Sequence, residues 1–123
     1  MPRVVAVIGA STDHSKFGNK AGRAFRNHGD EVVPINPTEA EVEGLKAYRS
    51  VLDVPGPIDM ATFYVPPKVG ERIIEEVARK GIREVWLNPG ADSDALAERA
   101  AALKIRAIRA CSILGIGDSP SRY

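Results

Sequence analysis

The sequence lacks the features that mark secreted, membrane and nucleic-acid-binding proteins. It has one cysteine, Cys111, in 123 residues, which excludes an intrachain disulfide. It shows neither a long apolar span nor a basic leader followed by an apolar stretch, so we expect no membrane contact and a cytoplasmic protein. Its formal net charge is +1, and its basic residues lack interleaved aromatic residues, which disfavours nucleic acid as a partner. Any anion must therefore be bound by a local site.

Motifs of catalysis and metal binding are also missing. There is no GxSxG nucleophile elbow, no spacing of His, Cys and carboxylates that indicates a metal, and no visible catalytic partner for either histidine. A Walker loop, GxxxxGK[ST], is absent, and so is the GxGxxG fingerprint of dinucleotide-binding proteins. These absences assign no catalytic residue. They favour a ligand-binding module over an enzyme.

Apolar residues, 44% of the chain, alternate between strand-like runs and helix-like stripes. This alternation predicts one three-layer α/β domain over residues 1–123, with a doubly wound, mostly parallel sheet of five or six strands. Strands are predicted at 3–8, 31–35, 59–65, 84–88 and 104–109, with 45–48 as the sixth. Helices are predicted at 19–27, at 67–80 and from a cap at Ser93, with one helical turn at 50–54. Residues 110–123 form a tail that either covers the domain or is frayed.

The loop between Gly9 and Gly18 joins the first predicted strand to the first predicted helix. Gly9 allows close backbone approach, and Ser11 and Thr12 offer hydroxyl donors. The helix start presents free amides with partial positive charge, and Lys16 adds a full charge. A connection of about ten residues is longer than most structural loops, so we favour an anion-binding loop over a plain βα connection.

The second predicted strand narrows the choice of anion. It ends in Pro34-Ile-Asn-Pro37, whereas NAD-binding proteins end this strand with an acidic residue that binds the ribose hydroxyls. The chain therefore lacks both the ribose carboxylate and the tight diphosphate turn. We expect neither a standard NAD site nor ATP hydrolysis by a Walker loop.

Several short motifs occur in a characteristic order along nearly the whole chain. They are Val7-Ile-Gly-Ala-Ser11, Ser15-Lys-Phe-Gly18, Pro34-Ile-Asn-Pro37, Gly44 with Tyr48-Arg-Ser50, Asp53-Val-Pro55 with Asp59, Tyr64-Val-Pro66, Trp86-Leu-Asn-Pro-Gly90 and Cys111. With this order and spacing the chain resembles the small bacterial CoA-binding proteins. Those proteins have a Rossmann-like fold, akin to the N-terminal domain of the succinyl-CoA ligase alpha subunit.

The resemblance implies that the ligand is coenzyme A or an acyl-CoA. Its diphosphate is expected over the first loop and helix start, at Gly9, Ala10, Ser11, Phe17, Gly18 and Asn19, with Lys16 as a phosphate partner. The adenine end is expected near Asn36 and Pro37. Val65 and Pro66 would flank the nucleotide or the start of pantetheine, and Asn88 would border the thiol-bearing arm.

The chain departs from the commoner pattern of such proteins at two places. Many relatives end with Cys-Pro followed by an acidic residue, whereas this chain has Cys111 followed by Ser112. It also has Asn88-Pro-Gly90 where others have Gln-x-Gly. Both departures concern the pantetheine end. Cys111 itself is either a thiol-exchange partner for CoA or a small buried hydrophobic residue, and we favour the second interpretation.

Three hypotheses about function follow. The leading one is non-catalytic binding of CoA or acyl-CoA through the loop from Gly9 to Gly18. The second is a CoA-binding subunit or fragment of an acyl-CoA ligase that needs a partner, and the third is an NAD(P)-binding regulatory module. Apart from a small nucleotide ligand we expect no nucleic-acid or membrane partner, and we leave a homo-oligomer open.

Overall fold

Seven strands and four helices lie within residues 2–123, the part of the chain that the computed structural model describes. The strands are β1 (Val4–Ile8), β2 (Glu31–Ile35), β3 (Glu41–Val42), β4 (Leu45–Lys46), β5 (Met60–Phe63), β6 (Glu84–Leu87) and β7 (Arg106–Ile108). The helices are α1 (Phe17–Asn27), α2 (Pro67–Lys80), α3 (Asp94–Ala102) and α4 (Ser112–Gly115). Single 3-10 turns lie at Val51–Asp53 and Pro120–Arg122. No helix of the described part has the length and apolarity needed to cross a membrane.

Five strands form one fully parallel sheet in the order β2-β1-β5-β6-β7. The chain moves outward from β1 to β2 and then returns to the other side of β1 as β5, so the sheet is doubly wound and Rossmann-like. Ile8 pairs with Ile35 on one side and with Phe63 on the other, which aligns the carboxyl ends of the three strands. The loops that leave these strands therefore meet at one edge.

Buried apolar side chains fill both faces of the sheet. Val5 and Val7 of β1 belong to the core that α1 and α4 cover, and Ala6 and Ile8 belong to the core beneath α2 and α3. Successive residues of a strand point to opposite faces, so one apolar run serves both cores. This arrangement is the predicted three-layer architecture, with five strands in the sheet.

The region from 38 to 57 differs most from the prediction. Residues 45–48 do not add a sixth strand to the sheet. Instead β4 pairs with β3 in a separate antiparallel hairpin, and only Tyr48 bridges to Ile35 of β2. Two-residue strands carry no readable periodicity, because at least four residues are needed to show alternation. The predicted helical turn at 50–54 is present as the 3-10 turn Val51–Asp53, which Ser50 caps.

Gly9 and Gly18 bring the first strand, the first helix and β5 into backbone contact. A Cβ atom on Gly18 would lie 2.1 Å from the Gly9 carbonyl oxygen, and one on Gly9 would lie 2.5 Å from the Tyr64 carbonyl oxygen. Gly9 also has φ +92°, a conformation that side chains disfavour. The helix α1 begins at Phe17, two residues before the predicted start. The low helix propensity of glycine predicts Gly18 outside the helix, but its contact with Gly9 places it inside.

The tail, residues 110–123, covers the domain, which decides between the two predicted alternatives. Its helix α4 buries Ile113 completely in the core on the α1 face. The predicted strand before the tail is shorter than expected, since β7 ends at Ile108. The tail is thus part of the folded domain.

A buried carboxylate, that of Asp118, holds the end of the tail against α1. Its Oδ1 atom accepts hydrogen bonds from the Ser119 amide and from Arg122, both at 2.8 Å. Its Oδ2 atom accepts from the Tyr123 hydroxyl at 2.7 Å and lies 3.4 Å from His28 Nε2 at the end of α1. The hydrogen bond from Tyr123 and then those from the Ser119 amide and Arg122 lower the pKa of Asp118 from 3.8 to about 2.

Replacing Gly18 by alanine is expected to destabilise the fold by about 1 to 3 kcal/mol, because the new methyl group overlaps a backbone carbonyl that cannot move aside. Gly22→Ala in the same helix is the matched control. Its Cβ would lie 3.8 Å from Val32, an ordinary contact, and alanine should add about 0.5 to 1 kcal/mol through helix propensity. Urea denaturation of both variants measures the difference. Equal effects would contradict the close packing of Gly9 on Gly18.

Asp118→Asn is expected to lower the free energy of unfolding near neutral pH and to flatten its dependence on acid. The folded pKa of Asp118 is depressed, so its contribution is complete above about pH 4 and is lost as the pH falls through about 2. Denaturation of wild type and variant across this range gives both slopes. Asp53→Asn, which removes an exposed carboxylate, is expected to keep the wild-type slope. Identical slopes for wild type and Asp118→Asn would contradict this role.

Candidate functional site

A cleft of about 600 Å³ lies at the carboxyl edge of the sheet, beside the ends of β1 and β5. This is the point where the winding of the sheet reverses, and open α/β sheets hold their ligands there. The volume is that of a typical small-molecule or cofactor site. Four loops line it, through Gly9, residues 15–18, residues 64–66, residues 88–91 and Cys111.

The start of α1 forms one wall of the cleft and carries unused hydrogen-bond donors. Lys16 occupies the N-cap position without making a side-chain cap, and the first turn contains no acidic residue. Within residues 2–123 the amides of Phe17 and Gly18 have no acceptor. Free amides at a helix start favour an anion, and the exposed ammonium of Lys16 adds a positive charge.

The start of α2 faces the same cleft and is uncapped in the same way. Pro66 occupies its N-cap position, and no side chain caps it and no acid lies in its first turn. The start of α3 differs, since Ser93 accepts a hydrogen bond from the Leu96 amide and Asp94 lies in the first turn. The short helix α4 also begins at the cleft, at Cys111, but its first amide, that of Ser112, is bound by Asn88. The starts of α1 and α2 are therefore the ones left able to receive an anion.

The structure brings seven of the twelve predicted site residues together and leaves five elsewhere. Those that line the cleft are Gly9, Lys16, Phe17, Gly18, Val65, Pro66 and Asn88. Those outside its lining are Ala10, Ser11, Asn19, Asn36 and Pro37. Phe17 is 53% exposed, an unusually open position for an aromatic side chain, and the ammonium of Lys20 lies 5.3 Å from its ring centroid.

Asn19 and Asn36 use their side-chain amides within the protein. The Asn19 Nδ2 atom donates to the Ser11 carbonyl at 2.8 Å, and its Oδ1 atom accepts from Arg23 at 2.7 Å. The Asn36 Nδ2 atom donates to the Ala10 carbonyl at 2.8 Å, and its Oδ1 atom accepts the amides that follow it in the chain. These two side chains shape the loops around the cleft.

Asn88 anchors a buried polar network under the cleft. Only 2% exposed, it donates to Thr62 Oγ1 and to the Phe63 carbonyl, both at 2.8 Å, and accepts from the Ser112 amide at 2.8 Å. The Ser112 hydroxyl in turn contacts Thr62 Oγ1 at 2.8 Å and the Tyr64 hydroxyl at 3.0 Å. The network fixes α4, and hence the preceding Cys111, to the central strands.

The floor of the cleft is uncharged. Burial raises the pKa of Tyr64 to about 12, so its hydroxyl stays protonated near neutral pH. The Ser112 hydroxyl contacts only other hydroxyls, and neither would take its proton in this pH range. This floor suits a neutral, partly apolar ligand segment.

The two departures from the commoner sequence pattern meet in this network. Asn88 accepts its hydrogen bond from the backbone amide of Ser112. A proline at position 112 would have no such amide to donate. Asn88 and Ser112 therefore form one structural unit, which two separate sequence positions could not reveal.

Some lining residues were outside the predicted set, namely Ser15, Tyr64, residues 89–91 and Cys111. Tyr64 and residues 89–91 follow the carboxyl ends of β5 and β6, and that position was the signal that could have identified them. Cys111 is half-buried, and it packs against the core on the α1 face as well as lining the cleft.

Comparison with known proteins relates this chain to ADP-forming CoA ligases and to a small protein of similar length. Over 85 residues the chain is 41% identical to the alpha subunit of the ADP-forming acetate–CoA ligase II of Pyrococcus furiosus, a match that covers 68% of this chain and 19% of that subunit. The chain thus spans about a fifth of that ligase subunit.

Two solved structures extend the similarity. A conserved hypothetical protein from Pyrococcus furiosus superposes with a TM-score of 0.85 at 33% identity, over 94% of this chain and 99% of its own. The dinucleotide-forming acetyl-coenzyme A synthetase 1 of Ca. Korarchaeum cryptofilum, solved with phosphate and ADP, has a TM-score of 0.78 at 32% identity, over 89% of this chain and 26% of its own.

The family assignment rests on nearly the full length of the chain. Residues 3–117 match the family described as the CoA binding domain. That range contains the whole parallel sheet and every loop that lines the cleft. The chain belongs to the CoA-binding domain family.

Proposed function

We propose that this chain binds coenzyme A or an acyl-CoA in the cleft at the carboxyl edge of the sheet, without catalysing a reaction of its own. The observation that carries the proposal is the uncapped start of α1. It offers the unpaired amides of Phe17 and Gly18 beside Lys16, next to a cleft with a neutral floor. A ligand with an anionic diphosphate and a long neutral arm has the matching chemistry.

The diphosphate is assigned to the start of α1. Two backbone amides and one ammonium group can bind phosphate oxygens through charge-assisted hydrogen bonds, each of which contributes about 1.5 to 3 kcal/mol. Gly9 and Gly18 pack on the chain's own backbone, so their part is to bring these donors to the cleft. Ser11 and Asn19 would act through the shape of the loop.

The pantetheine arm is assigned to the neutral part of the cleft. Val65 and Pro66 supply apolar surface at one side, and Asn88 supports the floor from below. The thiol or acyl end would then lie toward Cys111. We assign the adenine end to the surface near Asn36 and the exposed Pro37, beyond the end of β2.

A second candidate is that the chain serves as the CoA-binding part of an acyl-CoA ligase. The observation that favours it is the 41% identity to a ligase alpha subunit of which this chain spans 19%. Under this hypothesis a partner supplies the remaining catalytic machinery. Co-purification of the tagged chain with a larger subunit and with acyl-CoA ligase activity would favour it over stand-alone binding.

An NAD(P)-binding regulatory module is the third candidate and has the weakest support. The loop after β2 has no acidic side chain in the position that binds ribose hydroxyls. Asn36, which follows β2, already donates its side-chain amide to the Ala10 carbonyl and accepts hydrogen bonds from the backbone amides of its own turn.

Isothermal titration of the purified chain is expected to show binding of CoA and acetyl-CoA in preference to NAD and ATP. Only the first two combine a nucleotide diphosphate with a pantetheine arm long enough to enter the cleft. Native mass spectrometry of freshly purified protein identifies any ligand that is retained. No heat with CoA or acetyl-CoA, together with clear binding of NAD or ATP, would overturn the proposal.

Lys16→Ala is expected to weaken CoA binding by about tenfold at low salt, since one charge-assisted contact to phosphate is lost. Arg83→Ala is the matched control, because it removes an exposed positive charge before β6, at the opposite edge of the sheet. The effect of Lys16→Ala should shrink as the salt concentration rises. Equal affinities for the two variants would show that the diphosphate lies elsewhere.

A further inference from the structure

The hairpin of β3 and β4 contains an unusual residue at its turn. Glu43 and Gly44 form a two-residue connection, with φ +52° and +75°. Hairpin turns with positive φ at both positions favour asparagine, aspartate or glycine, because other side chains are strained there. A glutamate at the first position is therefore not explained by the turn itself.

The carboxylate of Glu43 reaches across to the loop between β1 and α1. Its Oε2 atom lies 2.7 Å from His14 Nε2 and accepts a hydrogen bond from Asn19 Nδ2 at 3.1 Å. The backbone carbonyl of Glu43 accepts from Arg26 of α1 at 3.0 Å. Hydrogen bonding by Asn19 is the main cause of a lowered pKa for Glu43, which keeps this group a charged acceptor.

The groups that Glu43 contacts hold the loop in place. Asn19 is only 1% exposed and donates to the Ser11 carbonyl at 2.8 Å. Arg23 donates to Asn19 Oδ1 at 2.7 Å and to the His14 carbonyl at 2.9 Å. Residues 12–16 are exposed and have no regular secondary structure. Asp13 orders them locally by accepting hydrogen bonds from the Ser15 amide and hydroxyl. The contacts of His14 with Glu43 and Arg23 join this loop to the hairpin and to α1.

We propose that Glu43 is a positioning residue that orders the loop of residues 11–16, and that the hairpin acts as a clamp on the approach to α1. The restrained loop carries Lys16 and leads directly to the unpaired amides of Phe17 and Gly18. The consequence for ligand affinity rests on the proposed function, whereas the ordering of the loop does not.

Two substitutions separate the strain of the turn from the reach of the carboxylate. Glu43→Asn suits the positive φ, which should keep or raise the melting temperature, but its side chain is one methylene too short to hold His14 and Asn19. Glu43→Gln keeps the length and an acceptor oxygen but also the strain. We therefore expect Glu43→Asn to have the higher melting temperature and Glu43→Gln to have the more ordered loop.

Hydrogen–deuterium exchange of the unliganded full chain tests the clamp directly. Amides of residues 11–18 are expected to exchange at least about fivefold faster in Glu43→Asn than in wild type, while Glu43→Gln retains most of the protection. Glu41→Asn is the control, since Glu41 lies in the same hairpin and is exposed. Unchanged exchange in Glu43→Asn, or equal acceleration in Glu41→Asn, would overturn the proposal.

Titration with CoA adds the functional consequence. If wild type binds CoA, Glu43→Asn is expected to bind at least about fivefold more weakly despite an undiminished melting temperature, and Glu43→Gln is expected to restore most of the affinity. Equal affinity of Glu43→Asn and wild type would overturn the role of the clamp in binding. If wild type does not bind CoA, the proposed function fails, and the exchange experiment still decides whether Glu43 orders the loop.

Discussion

The contact between Gly18 and the Gly9 carbonyl sets where α1 begins relative to the sheet. No side chain separates the helix from the strand loop, and the backbone of Tyr64 closes on Gly9 from the other side. Three chain segments therefore meet at the point where the winding of the sheet reverses. Because of this contact, the free amides of α1 lie at the cleft. Residues 10–16 form the loop that connects the two contacting glycine segments.

Elements whose ends depend on residues close in sequence were predicted correctly. Residues 31–35 form β2 as predicted, and α2 ends where expected, at Gly81 with φ +88°. The β3–β4 hairpin could not be predicted, because its strands have two residues each and its turn begins with Glu43 instead of a residue that favours the turn. The start of α1 lies two residues before its predicted position, because a long-range contact places Gly18 inside the helix.

The position of the cleft was predictable from the sequence, whereas the hydrogen bonds that its side chains make were not. A strand, a glycine and a helix start in succession point to a phosphate loop from the sequence alone. An asparagine amide, however, has the same chemistry toward a phosphate and toward a peptide carbonyl. Asn19, Asn36 and Asn88 all turn out to bind the chain's own groups, which only three-dimensional neighbours reveal.

The uncapped start of α1 has a thermodynamic consequence for the whole domain. Ser93 completes α3 from within the sequence, whereas nothing among the described residues completes α1. An anion bound there would act as the missing N-cap, and a group that binds only the folded state shifts the folding equilibrium in its favour. In the liganded domain α1 would then be capped, and the free energy of unfolding would rise with the concentration of the ligand.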